Sequence, residues 1–164
     1  MNTVMDERTA ARQPLRNYSV KEVRFKVVRE SAAARLRLSE PQAVADFITR
    51  SGLIPDDARE HFVILLLDSQ NGVVATHHVS IGTLSASLVH PREVFGPALR
   101  VMGCASIVLV HNHPSGDPTP SQDDLRLTRR LAEGAKLLDL RIHDHVILGN
   151  GSGQWVSLAQ RGAL

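Results

Sequence analysis

Two apolar runs, at residues 62–67 and 105–110, the second interrupted only by Ser106, constrain this chain more than any other feature. Runs of that length and Val/Ile/Leu content read as buried strands, so a sheet has to be covered by other elements. The first run ends in Asp68-Ser69-Gln70-Asn71-Gly72, and Asn-Gly after a strand predicts a hairpin with residues 73–81 as the returning partner. Residues 142–148 read as a further strand, 149–153 as a turn, and Trp155 and Val156 as a short last strand. Upstream, Val23, Phe25 and Val27 alternate with Arg24 and Lys26, the pattern of a strand with one solvated face.

Three helices fit between these strands. Ser39 as N-cap and Gln42 as its capping-box partner open the first, which carries Ala43, Val44, Phe47 and Ile48 and stops at Gly52. The second spans residues 91–102, with Val94, Phe95, Ala98, Leu99 and Met102 on one face. The third runs from about Ser121 to Leu138. The order describes one α/β domain, a mixed sheet sandwiched by helices, over residues 39–164. Residues 1–38 form an N-terminal arm and first strand.

A length of 164 residues suits one domain with a real core, and 43% hydrophobic with 22% charged residues is ordinary for a globular chain. No apolar run is long enough to span a membrane, and the N-terminus lacks the apolar centre of a signal peptide. The single cysteine, Cys104, cannot form an internal disulfide and reads as a small buried residue; a reducing cytoplasm is the expected location. A net charge of +2 gives only weak support for nucleic acid as a partner.

Histidine is the unusual count: eight, against one Trp and one Tyr. His111 and His113 sit where the second apolar run ends, and alternate residues of a strand share a face. Pro114 stops the strand. Asp124, in the first turn of the next helix, offers a third donor. Two His and one carboxylate leave a fourth zinc position open, the catalytic rather than the structural arrangement. The plainer reading is that Ser121-x-x-Asp124 caps a helix. His143-Asp144-His145 repeats the spacing with no third ligand nearby, which favours a structural or site-wall role, with Asp144 bonded to a ligand histidine. His77 and His78 read as solvated. Arg126, Arg129 and Arg130 share one helix face, either solvated or turned to an acidic partner.

His111-x-His113-Pro114, with Ser121 and Asp124 at their spacing, resembles the JAMM motif of MPN-domain metalloproteases. The longer run His111-Asn112-His113-Pro114-Ser115-Gly116-Asp117-Pro118-Thr119-Pro120-Ser121 is similar, more narrowly, to the RadC family of bacterial proteins. Further matching pieces are Gly82-Thr83-Leu84, residues 90–95, residues 144–149 and residues 157–162, so the likeness covers roughly residues 40 to 164. The resemblance implies an MPN/JAMM-like, cytidine-deaminase-like three-layer fold. It implies one Zn2+ on His111, His113 and Asp124, Glu60 as proton shuttle, and Ser121 as the serine that steadies a tetrahedral intermediate. Glu93 is the rival to Glu60. The implied activity is zinc-dependent cleavage of a peptide or isopeptide bond in a peptide or protein substrate. The alternative is a DNA-repair-associated, nucleic-acid-binding accessory protein without proteolytic activity. Full-length members carry a helix-hairpin-helix region, for which the roughly forty residues ahead of the common domain are too few. Iron or manganese are the other metals such a ligand set accepts.

Overall fold

The computed structural model describes residues 36–56, 58–82 and 89–164; the arm, the strand expected around Val23 to Val27, and Thr83 and Leu84 lie outside them. The elements are α1 (Pro41–Ser51), β1 (Glu60–Leu67), β2 (Val73–Gly82), α2 (Pro91–Ala98), β3 (Ser106–His113), α3 (Gln122–Leu137), β4 (Arg141–Gly149) and β5 (Trp155–Ser157). They form one mixed sheet in the order β2-β1-β3-β4-β5. All pairs are antiparallel except β3 with β4, which are joined through α3 and run parallel, the connection a parallel pair requires. At the β1–β2 turn Asp68 Oδ1 accepts from Gln70 N and Gly72 N, with Asn71 at φ 61°.

The two apolar strands are central and covered on both sides. Their alternation divides the core into two layers. Phe62, Ile64 and Leu66 of β1 and Ile107 and Leu109 of β3 pack against Val94 and Phe95 of α2 and Leu127 and Leu131 of α3. Val63, Leu65 and Leu67, with Val108, Val110 and Val146, face Val44 and Ile48 of α1 and Leu38. Each large side chain so buried contributes about 1.5–3 kcal/mol. Helix, sheet, helix makes the three layers. No helix among the described residues is long and apolar enough to cross a membrane.

Two local expectations are corrected. The N-cap of α1 is Glu40, not Ser39, and no side chain caps it. Pro41, with its fixed φ and missing N–H, takes the first helical position and so sets the cap one residue before it. Gln42 instead donates to Asp46 Oδ1 at 2.9 Å and accepts from Trp155 Nε1 at 3.2 Å. Gly52 does end the helix, at φ 65°. The second helix stops at Ala98 rather than Met102. Pro97 has no N–H to continue the ladder, and the chain turns with Arg100 N and Val101 N both donating to Pro97 O. Val94, Phe95 and Ala98 are buried as expected, whereas Leu99 and Met102 are 59% and 95% exposed.

Candidate metal centre

The strand carrying His111 runs on to His113, so the period of two reaches both histidines. They continue the face of Ile107 and Leu109, the α3 side of the sheet. Phe62, opposite His111 across β1–β3, stacks on its ring with centroids 6.0 Å apart. Because β3 feeds α3, the helix begins beside the carboxyl end of the strand. Ser121 is its N-cap: the hydroxyl accepts from Asp124 N at 3.1 Å, and Asp124 Oδ2 accepts from Ser121 N at 2.7 Å. Ser121 Oγ also donates to Oδ2 at 2.6 Å. The capping box holds Oδ2, which also lies near His113, and turns Oδ1 toward His111, so cap and candidate ligand are the same side chain.

Three distances define the cluster. His111 Nε2 is 3.1 Å from His113 Nε2 and 3.2 Å from Asp124 Oδ1, and His113 Nε2 is 3.5 Å from Asp124 Oδ2. With metal–ligand bonds of 2.0–2.1 Å, the edge of a tetrahedron is about 3.3 Å. His111 and Asp124 are buried, and His113 is half-buried at the solvent margin. His113 Nδ1 lies 2.8 Å from Asp117 O. A carbonyl only accepts, so Nδ1 carries the hydrogen and Nε2 turns a lone pair inward. A carboxylate and imidazole nitrogens converging at this spacing fit a divalent cation, and the N/O set suits zinc.

Charges agree with that geometry. Burial pushes the Asp124 carboxyl up, but its contacts with the His111 and His113 imidazoles and the Ser121 hydroxyl outweigh it and hold the group far below the usual carboxylate range. Asp124 bonding raises His113 against the opposing effect of burial, with help from the Asp117 carbonyl and from the charge of Glu60. Glu60 opens β1 with the parity of Phe62, which puts it on the face of His111, half-buried and close enough for its charge to act on His113. Glu93 is exposed in the first turn of α2, a favourable place for a carboxylate on helix-dipole grounds alone.

Asn112 and Thr128 escape the sequence reading, whereas His145 has the structural, site-wall place expected of it. Asn112 turns to the α1 side, where its Oδ1 accepts from His61 N at 2.7 Å and its Nδ2 donates to Arg59 O and Asn150 Oδ1, both at 3.0 Å. It thus grips the backbone on either side of Glu60. His145 and Thr128 are fully buried behind His111: His145 Nε2 is 2.7 Å from His111 Nδ1, and its Nδ1 is 2.6 Å from Thr128 Oγ1. Burial keeps His145 well below the ordinary imidazole range, hence neutral. The expectation that Asp144 bonds a ligand histidine is corrected, since it has the parity of Val146 and faces the α1 side. It accepts from Ser157 Oγ at 2.6 Å, Ala159 N at 3.0 Å and His145 N at 2.7 Å. The parity of residues 144–146 relative to β3 is the missing signal, and it depends on a bulge that composition does not announce. His78 is exposed and His77 half-buried on β2. Cys104 is half-buried against the core, where burial pushes its thiol up, a setting unfavourable to a nucleophile. Arg126, Arg129 and Arg130 are all exposed, and Arg126 pairs with Asp123.

A five-stranded mixed sheet between helices, with this cluster at the carboxyl end of a central strand, is a JAB/MPN-like fold. The model of the RadC-like JAB domain matches residues 38–163, and the chain belongs to the RadC family. It is 44% identical over 128 residues to the UPF0758 protein of Pelobacter propionicus, covering 78% of this chain and 54% of the relative. The UPF0758 protein of Syntrophotalea carbinolica is 48% identical over 129 residues, with the same coverages. That of Syntrophomonas wolfei is 51% identical over 106 residues, covering 65% and 44%. The chain spans about half the length of the curated relatives it matches.

Proposed function

We propose that the chain is a zinc-dependent hydrolase of the JAMM type that cleaves a peptide or isopeptide bond. The observation behind this reading is the convergence of His111 Nε2, His113 Nε2 and an Asp124 oxygen at near-tetrahedral spacing, with the Glu60 charge acting on the same cluster. His111, His113 and Asp124 would hold a zinc ion, which would supply Lewis acidity and favour hydroxide near neutral pH. Glu60 takes the proton of the attacking water and returns it to the leaving amine. Asn112 holds Glu60 at its station by fixing Arg59 and His61. Ser121, exposed at the start of α3, turns its hydroxyl from Asp124 to the oxyanion of the substrate.

The test begins with metal content by plasma mass spectrometry on protein purified without a metal-binding tag. About one zinc per chain in the wild type, lost in His113→Ala, is the expected result. Glu60→Gln should then keep the metal and lose about 10²–10⁴-fold in peptidase rate. Absence of stoichiometric metal after reconstitution overturns the hydrolase. Metal-loaded chain that leaves a peptide and isopeptide panel intact but binds DNA through the exposed Arg129 and Arg130 favours the nucleic-acid accessory reading instead.

A further inference from the structure

We infer that Thr128 and His145 are positioning residues that lock His111 in the one tautomer able to hold a cation. The inference rests on the metal-centre reading above and adds to it the device that orients the most deeply buried donor. Its starting point is a carbonyl. Thr128 Oγ1 lies 2.6 Å from Asp124 O, one helical turn back. A carbonyl oxygen cannot donate, so the single hydroxyl hydrogen of Thr128 is committed to it. Thr128 Oγ1 therefore has only lone pairs for His145 Nδ1, also 2.6 Å away, and Nδ1 must carry the hydrogen. The neutral ring then has an unprotonated Nε2. That nitrogen meets His111 Nδ1 at 2.7 Å, so His111 donates from Nδ1. In the neutral ring its Nε2 is then left with a lone pair, aimed at His113 and Asp124.

Each link is forced by the one before it. His111, Thr128 and His145 are all fully buried, so water does not compete for any of these bonds. The path also closes on itself. It begins at the backbone of Asp124 and returns, through His111, to the side chain of Asp124. One turn of α3 thus carries both a candidate ligand and the anchor that orients another, and the histidine on β3 is set relative to the helix rather than to its own strand alone.

The experiment uses the full chain. In the metal-free wild type, long-range 15N–1H NMR of the imidazole rings should show hydrogen on Nδ1 of both His111 and His145. Hydrogen on His145 Nε2 overturns the inference whether or not metal binds. Zinc affinity, measured by competition with a chromogenic chelator, should fall about 10–100-fold in Thr128→Val, where His145 is free to choose either tautomer. Thr128→Ser, which keeps the hydroxyl, should restore wild-type affinity. Equal affinity in Thr128→Val and wild type refutes the positioning role while leaving the hydrolase intact. Failure of the wild type to bind zinc refutes the hydrolase, and the metal-free spectrum still decides the tautomers. If Thr128→Val fails to fold, the wild-type spectrum and Thr128→Ser carry the test.

Discussion

The chain contains the spacing His-x-His twice, on neighbouring parallel strands, and puts the two copies to different uses. On β3 the spacing occupies the last residues of the strand, where α3 begins and a carboxylate can approach. On β4 it lies inside the strand. There the register jumps from Ile107↔Ile142 to Val108↔Asp144, leaving His143 outside the ladder while His145 faces inward opposite Leu109. Two histidines thus meet Asp124 on β3, whereas on β4 one is fully buried as a support and the other is half-buried near the edge. Spacing alone does not gather a His-His-Asp cluster; its place along the strand does. The middle residues, by contrast, behave alike. Asn112 and Asp144 both face the α1 side, and both fasten distant backbone.

The contrast is broken most directly at the outer histidines. His113→Ala should reduce bound zinc from about one per chain to background, while His143→Ala retains it, as read by plasma mass spectrometry. Loss of metal in both variants would make the two pairs one site. The middle residues come next. Asp144→Ala strands the Ser157 hydroxyl and two backbone N–H groups and should cost about 3 kcal/mol in urea unfolding with zinc affinity unchanged. Asn112→Ala should cost about 2 kcal/mol and also lower peptidase turnover, because it frees the backbone beside Glu60. A loss in the same range, about 1–3 kcal/mol, is expected for Gly149→Ala. A Cβ there would lie 2.1 Å from Gly116 O, so the loop between His113 and Ser121 must shift; an unshifted midpoint in the same assay would show that the loop yields freely.

The smallest effect is in titration of the metal-free chain. Asp124 raises His113 above the ordinary value of 6.5, and burial, with Arg141, lowers His143 below it. Stability from His113 is then complete below about pH 6.5 and is lost as pH rises through its raised pKa. His143 subtracts stability as pH falls through 6.5. Histidine NMR titration should show the two midpoints on opposite sides of that value; midpoints on the same side would erase the electrostatic part of the contrast.

What was legible in the sequence follows from short-range rules. Alternation along residues 105–113 puts both histidines on one face, and Ser121-x-x-Asp124 announces the helix start that brings in the third donor. Both are local, and each holds in the fold. The strand order of β1, β3 and β4, and the bulge before Asp144, depend on pairing between residues tens of positions apart. That is why Asp144 rather than His145 looked like the partner of a ligand, and why Thr128, an unremarked residue on a helix, carried no signal. Asn112 escaped for the same reason: its partners Arg59, His61 and Asn150 lie 53, 51 and 38 residues away. At the end of α2 and the start of α1 the error was of another kind, since Pro97 and Pro41 outranked the apolar pattern and the capping box.

The support behind His111 has a consequence for the order of events during synthesis. Every donor atom of the cluster has been made by residue 124, yet His145 belongs to β4, about twenty residues later. A growing chain that stops short of β4 carries the donors but leaves the His111 ring free to take up either tautomer. The parallel pairing of β3 with β4 that ends this freedom joins distant parts of the chain and is intrinsically slow. On the proposed metal reading, high-affinity loading would therefore wait for β4, and the ion would enter a formed site rather than seed the fold.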